Sequence, residues 1–459
     1  MIFDFKDTRE YEYVDAIQRF TKRRPYNAHV ITFGCQQNEA DSEKIRSVLK
    51  LLGYSIIETV EEADLIILNT CAVRELAEKK AFSALGNLKA LKAQNRDIII
   101  GIAGCMAAEE CVIAKIKKSF PYVNFTVQPN MLHKLPELIY SALNLKKKRY
   151  VINEDAGDVV EGMGAERAHS FSAWVSVMYG CNNFCSYCIV PYVRGRERSR
   201  DSNEVIKECR ELIENGCREI TLLGQNVNSY SSDIDFATLL SRIAELPGDF
   251  IIRFMTSHPK DVSENLIRVI GKYTDKIAPT FHLPLQSGSD RILKLMNRTY
   301  DVKKYLDTVR RLRESRPGIA LTSDIIVGFP SETEEDFQMT LSALREVRFD
   351  MVYSFIYSKR EGTRAANFEN QVENAVQSER MGRLLELQTN ISYEENLKYK
   401  DTVQRVLIFK HEDGLYTGRT LTNKLVHVKS DDNNLVGQFV KIKIDTVSAF
   451  NLGGQLERN

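Results

Sequence analysis

Residues 174–188 read WVSVMYGCNNFCSYC, an apolar strand-like run that leads directly into Cys181, Cys185 and Cys188. Three thiolates this close in sequence can bind one metal centre only from a loop. A structural zinc site is possible but disfavoured, since zinc prefers paired two-residue spacings and a fourth ligand. Three thiolates on a 4Fe-4S cluster instead leave one iron open for a substrate or cofactor. The spacing therefore favours an iron-sulfur cluster at the end of a strand.

The same strand opens a stretch, residues 171–375, in which strand-like and helix-like segments alternate. The six candidate strands read WVSVMYG, EITLLG, IIRFMT, APTFHLPL, ALTSDIIVGFP and MVYSFIYS. Six βα units favour a partial or complete α/β barrel, although the spacing alone also allows an open sheet. The central part of the chain is therefore predicted to be of the α/β class.

Upstream, residues 25–148 show a similar alternation, in which the runs HVITFGC, LIILNTC and IIIGIAGC are separated by helical patterns. This is typical of an open parallel sheet with crossover helices. Residues 1–24 precede it as an N-terminal extension. A basic run followed by a glycine- and acid-containing stretch breaks the periodicity, so we predict a linker at residues 149–170.

Cys35, Cys71 and Cys105 are far apart in sequence, but each directly follows one of these three strands. The carboxyl ends of parallel strands lie along one edge of the sheet, so we expect the three thiols to converge there. Small buried cysteines at strand ends are common singly, but not at three consecutive strands. The placement predicts a second cluster. Ordinary thiols are predicted at the positions without this placement, Cys111, Cys209 and Cys217.

Downstream of the barrel, residues 376–400 have the pattern of a connecting helix. Residues 401–459 then change to period-2 segments, VQRVLIF, GLYTGRTL, LVHVK and QFVKIKIDTVS, separated by Gly, Asp and Asn turns. The pattern predicts a small all-β domain at the C-terminal end.

The composition is that of a globular protein with more than one domain: 459 residues, 43% apolar, 27% charged, with a formal net charge of +1. An anionic partner would therefore need a local basic patch. No apolar run reaches the roughly 18 residues of a membrane-spanning helix, and the opening MIFDFKDTREYEY is unlike a secretory signal. The nine cysteines do not resemble a disulfide framework. We expect a cytoplasmic protein without a membrane partner.

The motif CNNFCSYC resembles the signature of the radical S-adenosylmethionine (SAM) superfamily. The resemblance implies a partial (β/α)6 barrel and a 4Fe-4S cluster on the cysteine triplet, whose open iron is chelated by SAM and which yields a 5′-deoxyadenosyl radical. SAM contacts in that superfamily fall at strand ends, although turn and helix-cap roles suit the matching residues equally well. The implied SAM contacts are Tyr187, Gly224, Gln225, Gln286, Ser287, Ser323 and Gly328.

The N-terminal motifs GCQQNEADSE, NTCAVRELAEKK and GCMAAEE resemble the signature of methylthiotransferases, a radical SAM subfamily, and the resemblance extends over nearly the whole chain. It implies that Cys35, Cys71 and Cys105 hold a second 4Fe-4S cluster with an open iron. A sulfur species bound there is implied to be methylated by one SAM and then joined to a carbon radical made with a second. The C-terminal domain resembles the RNA-binding TRAM domain, an OB-like β-barrel.

Members of this subfamily modify isopentenyladenosine in tRNA, threonylcarbamoyladenosine in tRNA, or an aspartate of a ribosomal protein. The segments CIVPYVRGRERSR and LLGQNVNSY are similar to those of MiaB-type tRNA methylthiotransferases, which act on the first target. Arginines beside the first cluster are implied to hold the tRNA backbone or SAM, with surface ion pairs as the alternative. The candidate RNA contacts, including two in the β domain, are Arg194, Arg196, Arg198, Arg200, Arg419 and Lys424.

We therefore expect a transferase that methylthiolates C2 of isopentenyladenosine beside the tRNA anticodon, with two 4Fe-4S clusters and two SAM molecules. An unactivated aromatic C–H offers no acidic proton, so no catalytic acid or base is predicted. Further expected partners are an electron donor and a sulfur or cluster-repair protein, and we expect a monomer. The alternatives are methylthiolation of a ribosomal-protein aspartate, and a non-catalytic iron-sulfur protein that binds RNA.

Overall fold

A computed structural model describes residues 8–73, 75–150, 161–432 and 434–457. Residues 1–7 of the predicted extension and residues 151–160 of the predicted linker lie outside this described part. The described residues form two compact units. The first contains residues up to 168 together with 178–182 and 188–200, and the second contains 169–177, 183–187 and the chain from 201 onward.

The first unit is built on a six-stranded sheet in the order β2-β1-β3-β4-β5-β6, and all its strand pairs are parallel. The strands are β1 Asn27–Thr32, β2 Ser55–Ile56, β3 Leu65–Thr70, β4 Ile99–Gly104, β5 Phe125–Val127 and β6 Arg149–Tyr150. The α-helices are α1 Thr8–Thr21, α2 Gln36–Leu51, α3 Glu75–Gln94, α4 Glu110–Ser119 and α5 Leu135–Asn144. The predicted parallel sheet with crossover helices is confirmed.

Alternate residues of β3 enter two different apolar cores. Leu65 and Ile67 belong to a core that includes residues of α1, α2 and α5, whereas Ile66 and Leu68 belong to one that includes residues of α3 and α4. Both faces of the sheet are therefore covered, as a parallel sheet requires. The sheet also extends two residues into the segment predicted as a linker, because β6 pairs with β5.

The first unit also contains three short elements from the segment around the cysteine triplet. Two of them, β8 Met178–Tyr179 and β9 Arg198–Ser199, form an antiparallel pair, and the third is helix α6 Val190–Val193. The run WVSVMYG, expected to be one strand, is divided between β8 and a strand of the second unit, β7 Ser172–Ser176. The first unit's 3-10 helices are Val60–Glu62, Cys105–Ala108 and Pro129–Lys134.

The second unit contains the six predicted barrel strands, which form two three-stranded parallel sheets, β7-β10-β11 and β12-β13-β14. A parallel bridge between Ile252 and Ile277 links β11 to the segment before β12. The strands are β7 Ser172–Ser176, β10 Glu219–Leu223, β11 Ile251–Phe254, β12 Thr280–His282, β13 Ala320–Val327 and β14 Met351–Ile356. The partial (β/α)6 barrel is confirmed.

The helices between these strands begin at short polar side chains that accept hydrogen bonds from the first turn, as Asp235 and Ser289 do. The helices are α7 Ser202–Glu214, α8 Phe236–Ala244, α9 Glu264–Lys272, α10 Asp290–Leu295, α11 Val302–Ser315 and α12 Glu334–Val347. The 3-10 helices of this unit are Val227–Ser229, Pro259–Asp261 and Arg364–Asn367. The predicted connecting helix is α13 Asn374–Leu397.

The C-terminal domain, also in the second unit, is a closed five-stranded barrel in the order β15-β16-β17-β19-β18. Its strands are β15 Val403–Glu412, β16 Leu415–Thr420, β17 Leu425–Lys429, β18 Phe439–Val447 and β19 Asn451–Leu456. The period-2 pattern is explained by burial, since alternate residues such as Val426 and Val428 fill the barrel core. In the described part of the chain, no helix is long and apolar enough to cross a membrane.

Candidate metal centres

Cys71 and Cys105 follow neighbouring strands of the first sheet at matching positions. The last paired residues of β3 and β4, Thr70 and Gly104, are register partners, so the two cysteines emerge side by side. Both thiols are buried. The parallel register therefore brings two cysteines that are distant in sequence to one edge of the sheet.

Cys35 precedes helix α2 and is tied to the same edge by Asn38. The Asn38 Oδ1 atom lies 3.3 Å from the Cys35 backbone nitrogen and 3.4 Å from its Sγ. The Asn38 side chain also donates to the Thr70 carbonyl over 3.1 Å, and Asn69 donates to the Asn38 carbonyl over 2.7 Å. These hydrogen bonds join the turn that carries Cys35 to the end of β3.

Two of the cysteines follow glycines that the packing requires. A Cβ atom on Gly34 would lie 2.2 Å from Asn38 Oδ1, and one on Gly104 would lie 2.3 Å from the Thr70 carbonyl oxygen. Gly104 also has a φ of 94°, in the region that favours glycine. The glycine in GCMA therefore lets the chain pass close to β3 just before Cys105, and the glycine in GCQQ leaves room for the Asn38 side chain just before Cys35.

The three thiols also interact electrostatically. Burial raises the pKa of the Cys105 thiol to about 12, the charge of Arg194 opposes the rise, and Cys71 and Cys35 add to it. Among the described residues, no three His, Cys, Asp or Glu side chains stand close enough to share a single metal ion. A 4Fe-4S cluster binds each thiolate to a different iron, so its ligands do not have to meet at one metal ion. Three thiols, of which Cys105 and Cys35 interact with the buried Arg194 cation, are a donor set that fits a 4Fe-4S cluster.

The cysteine triplet lies in the loop after β8. Cys181 and Cys185 are buried and Cys188 is half-buried. In the first unit, the Cys181 backbone N–H donates to the Gly195 carbonyl over 3.1 Å. In the second unit, Arg298 Nη1 donates to Cys185 Sγ over 3.4 Å. Cys185 is thus a thiol with a cation beside it, the same donor chemistry as that of Cys105.

The turn after helix α10 holds the middle of this loop within the second unit. Asn297 Nδ2 donates to the carbonyls of Asn183 and Phe184 over 3.3 and 3.0 Å, and Ser186 Oγ donates to the Leu295 carbonyl over 2.8 Å. Asn297 adopts a φ of 59°, a left-handed conformation that asparagine tolerates at a helix end. In the sequence KLMNRTY, the asparagine is a signal for the end of a helix. The sequence does not indicate that this asparagine also holds the cysteine loop.

Arg298 is a second residue that sequence reasoning missed. Besides Cys185, it donates to the Tyr300 hydroxyl over 2.9 Å and to the Pro284 carbonyl over 3.1 Å. Burial alone would lower the pKa of the Arg298 guanidinium, but the neighbouring Tyr300, Tyr187 and Cys185 hold it above its usual value. The side chain therefore stays charged while it contacts a predicted cluster ligand.

The structure directs two of the predicted RNA-contacting arginines into the protein. Arg194 is buried, and it donates through Nε to Cys105 Sγ over 3.1 Å and through Nη2 to Asp41 Oδ2 over 3.0 Å. Arg200 is also buried and pairs with Glu161 at 2.7 Å. The packing gives no support for an RNA contact at these two positions, because Arg194 is paired with a buried carboxylate and a thiol, and Arg200 with the half-buried carboxylate of Glu161.

The other four candidates differ in exposure. Arg196 and Arg419 are exposed, and Arg198 is half-buried. The Lys424 ammonium lies 2.7 Å from Asp350 Oδ1, and both side chains are about nine-tenths buried, at 10% and 12% exposure. Lys424 therefore pairs the C-terminal barrel with the residue just before β14, which leaves its ammonium little exposed surface for an RNA phosphate.

Several predicted SAM contacts have internal partners. Ser323 lies inside β13 rather than at its end, and its buried hydroxyl accepts from the Leu285 backbone N–H over 2.8 Å. The Gly328 N–H donates to Glu332 Oε2 over 2.8 Å. Ser287 is also fully buried. Ser323 is therefore enclosed within a strand, whereas Gly328 and Ser287 lie in the segments that follow β13 and β12.

The remaining SAM candidates are placed at the barrel's carboxyl edge or in the cysteine loop. Gly224 and Gln225 directly follow β10, and Gln286 follows β12 with a φ of 69°. The Tyr187 ring packs edge-on against Phe329, with 6.4 Å between the ring centroids. These positions are those expected of residues that line a ligand site at the end of a barrel.

Three family models match this chain in succession. A model described as uncharacterized protein family UPF0004 matches residues 27–128, the radical SAM superfamily model matches residues 175–344, and the TRAM domain model matches residues 397–456. The matches follow the order of the parallel sheet, the partial barrel and the five-stranded barrel.

Several relatives match over nearly the full chain. Proteins named tRNA-2-methylthio-N(6)-dimethylallyladenosine synthase from Thermoanaerobacter pseudethanolicus and Acetivibrio thermocellus are each 46% identical to it. The alignments cover 93% and 98% of this chain and 92% and 96% of those proteins. A protein of the same name from Caldicellulosiruptor saccharolyticus is 47% identical over 97% of this chain and 96% of its own length.

Solved structures share the fold at low identity. The radical SAM methyltransferase TsrM from Kitasatospora setae has a TM-score of 0.55 and 12% identity, over 74% of each chain. The cobalamin-dependent radical SAM enzyme OxsB has a TM-score of 0.51 and 12% identity, over 80% of this chain and 57% of its own. At this identity the likeness concerns the fold alone.

Proposed function

Because the chain belongs to the family of tRNA-2-methylthio-N(6)-dimethylallyladenosine synthases, we propose that it adds a methylthio group at C2 of isopentenyladenosine beside the tRNA anticodon. It is a radical SAM tRNA methylthiotransferase. The observation that carries this conclusion is the 46–47% identity to relatives of that name over 93–98% of the chain.

The cofactors are two 4Fe-4S clusters and SAM, which when bound supply the radical, the sulfur and the methyl group. We assign one cluster to Cys181, Cys185 and Cys188. We assign the other to the three strand-end cysteines, Cys35, Cys71 and Cys105. The assignments are supported by the thiol chemistry of each set and by the charged guanidinium that donates to one thiol in each, from Arg298 and Arg194.

The protein's own groups hold these ligands and keep water away from them. Asn297 fixes the backbone on the cysteine loop, and Asn38 fixes the turn before α2, so neither loop has to become ordered when the cofactor binds. Burial of Cys71, Cys105 and Cys185 excludes water from the thiol sulfurs. This chain therefore contributes position and electrostatics. We propose no acid or base residue, because the C–H that reacts offers no acidic proton.

The substrate partner is tRNA, and the C-terminal barrel is an RNA-binding domain by its family. We propose Arg196, Arg198 and Arg419 as phosphate contacts, supported by their exposed or half-buried positions. We propose Tyr187, Gly224, Gln225 and Gln286 as SAM contacts, and we propose that Ser287, Ser323 and Gly328 position the backbone next to them. We further propose a cytoplasmic monomer that is served by an electron donor and by a sulfur or cluster-repair protein.

Nucleoside mass spectrometry of tRNA tests the proposed function. In a strain without this gene, the 2-methylthio derivative should disappear and isopentenyladenosine should accumulate. Complementation with the wild-type chain or with the exposed-thiol variant Cys111→Ala should restore the derivative, whereas Cys105→Ala should not. An unchanged 2-methylthio signal in the deletion strain would refute the assignment.

A further inference from the structure

Arg194 is a buried cation whose hydrogen bonds lie on a predicted cluster ligand rather than on solvent. Only 5% of its surface is exposed. Its Nε donates to Cys105 Sγ over 3.1 Å, across 89 positions of sequence. A guanidinium gives up much of its hydration on burial, so it is retained only where its donors are used. Here one of those donors is used on sulfur.

Asp41 fixes the orientation of that guanidinium. Its Oδ2 accepts from Arg194 Nη2 over 3.0 Å, and its Oδ1 accepts from Gln37 Nε2 over 3.2 Å. The Asp41 side chain is 4% exposed, so the ion pair lies almost wholly out of water. With Nη2 held on Asp41, the Nε–H is directed at the thiol. The arrangement is a carboxylate, an arginine and a cysteine in series.

The apolar surroundings of Cys105 strengthen the hydrogen bond that it accepts from Arg194. The residue belongs to an apolar cluster with Ala72, Ala108, Ile189 and Val193. Electrostatic interactions in such a region are screened much less than at the surface. A hydrogen bond from a cation to a thiolate is therefore worth more here than the same contact would be in water.

The neighbouring charges of helix α2 have other partners. Glu43 pairs with Arg167 at 2.8 Å, and Lys44 donates to the Tyr179 hydroxyl. Both pairs are built from the same helix as Asp41, more than two turns from Cys35, and their polar atoms meet a carboxylate and a phenol rather than a cysteine sulfur. They therefore offer control positions for any effect of Arg194.

We propose that Arg194, oriented by Asp41, raises the reduction potential of the cluster held by Cys35, Cys71 and Cys105 through its N–H···S bond to Cys105. This inference rests on the proposed function, because it requires that cluster. Arg194 acts through Cys105, so it is a positioning residue and not a catalytic one. Hydrogen bonds to ligand sulfurs and nearby positive charge are established means by which proteins set cluster potentials.

The expected sign follows from charge. Reduction adds one electron to the cluster, and a cation that donates to a thiolate ligand stabilises the added negative charge. Removing Arg194 should therefore make the potential more negative. Asp41→Asn removes a negative charge but keeps an amide oxygen that can accept from Arg194 Nη2, so Arg194 stays oriented and the potential should become less negative. If the contact between Arg194 and Cys105 were merely structural, the two variants would not be expected to shift the reduction potential in opposite directions.

The test is potentiometric titration of the full-length protein carrying both clusters, read by electron paramagnetic resonance. The signal of the strand-end cluster is identified by comparison with full-length protein in which Cys181, Cys185 and Cys188 are alanine. Iron and sulfide are counted first in every variant. For Arg194→Met we expect at least a tenfold less favourable reduction, which for one electron is about 59 mV more negative. Asp41→Asn should shift the potential in the opposite direction.

Two further variants keep the test decisive. In Arg194→Met/Asp41→Asn no buried carboxylate is left unpaired, so folding is less perturbed, and the potential should still be more negative than wild type. Arg194→Lys keeps the charge without the guanidinium fork, and should recover part of the shift. Arg167→Met removes the control ion pair with Glu43 and should leave the potential unchanged.

The outcomes separate this inference from the proposed function. If wild-type protein holds no cluster on the strand-end cysteines, the proposed function fails and this inference fails with it. If the cluster is present but both the single and the double Arg194 variants retain the wild-type potential, the proposed function stands and the inference is overturned. Shifts of the same sign in Arg194→Met and Asp41→Asn would likewise overturn it.

Discussion

The Lys424 ammonium lies 2.7 Å from Asp350 Oδ1, and this ion pair joins the C-terminal barrel to the edge of the partial α/β barrel. A second cation supports the same junction, since Arg253 on β11 donates to the carbonyls of Thr420 and Leu421 over 2.9 and 2.8 Å. Two positive side chains, one of them predicted from the sequence to contact RNA, thus dock one domain on another within the second unit.

Lys424→Met should destabilise the protein, because it leaves the Asp350 carboxylate unpaired in a largely buried position. Breaking one side of a buried pair costs about 3 kcal/mol. Urea unfolding of the full chain measures the change. The double variant Lys424→Met/Asp350→Asn should recover much of the lost free energy of unfolding, because it leaves no unpaired buried charge. A single variant as stable as wild type would contradict the docking role.

Salt dependence of tRNA binding should distinguish the exposed arginines from the buried cations. Each phosphate contact that is removed lowers the slope of log affinity against log salt by about 1. We expect that change for Arg196→Ala and Arg419→Ala, whose side chains are exposed. Lys424→Gln should leave the slope unchanged. A lower slope for Lys424→Gln alone would contradict both assignments.

The iron content of cysteine variants should show that the two sets of cysteines each bind their own cluster. Replacing Cys35, Cys71 and Cys105 by alanine should remove about half of the iron, because each 4Fe-4S cluster contributes equally. Replacing the other triplet should remove the other half. Anaerobic purification followed by iron and sulfide analysis gives the result, with Cys111→Ala as the control for an exposed thiol. Complete loss on changing one set would indicate a single shared site.

Arg298→Met should impair SAM cleavage more than it impairs cluster retention. The side chain holds Cys185, Tyr300 and the Pro284 carbonyl together, so its loss disturbs the geometry around one ligand while the three thiols remain. We expect about a tenfold slower release of 5′-deoxyadenosine, equivalent to about 1.4 kcal/mol in activation free energy. Iron analysis of the same sample is the control. Wild-type release with full iron would show that Arg298 is dispensable.

Acidification should destabilise the protein through His258. Burial lowers the pKa of this imidazole to about 2, and the charges of Arg298 and Lys260 act in the same direction. The folded protein therefore keeps His258 neutral, with Nδ1 accepting from the Lys260 backbone N–H over 3.2 Å.

An unfolded histidine takes up a proton near pH 6.5, so the stabilisation is complete above that pH and is lost as the pH falls. From pH 7.5 to 5.5 the free energy of unfolding should fall by about 1.4 kcal/mol from this group. His258→Asn, which retains an acceptor oxygen, should show a smaller fall in urea unfolding at the two pH values. Equal falls would assign the pH dependence to other groups.

Much of the candidate site could be predicted because its signals are local. The runs before Cys35, Cys71 and Cys105 are apolar enough to be strands, and parallel pairing alone then brings their ends to one edge. What could not be predicted was the support around the thiols. Asn38 donates a hydrogen bond to the Thr70 carbonyl, 32 positions away in sequence. No sequence pattern around either residue indicates that the two are in contact.

The sequence by itself determined the order of the three domains, the strand ends that carry cysteines and the chemistry of the thiols, because hydrophobic periodicity and motif spacing are properties of short segments. Only the tertiary structure decided what the cations do. Arg194 and Asp41 are 153 positions apart, and Lys424 and Asp350 come from different domains. The residue type does not show whether a charged side chain lies on a solvated surface or in a buried ion pair. Its role depends on which partners the packing brings within hydrogen-bond distance.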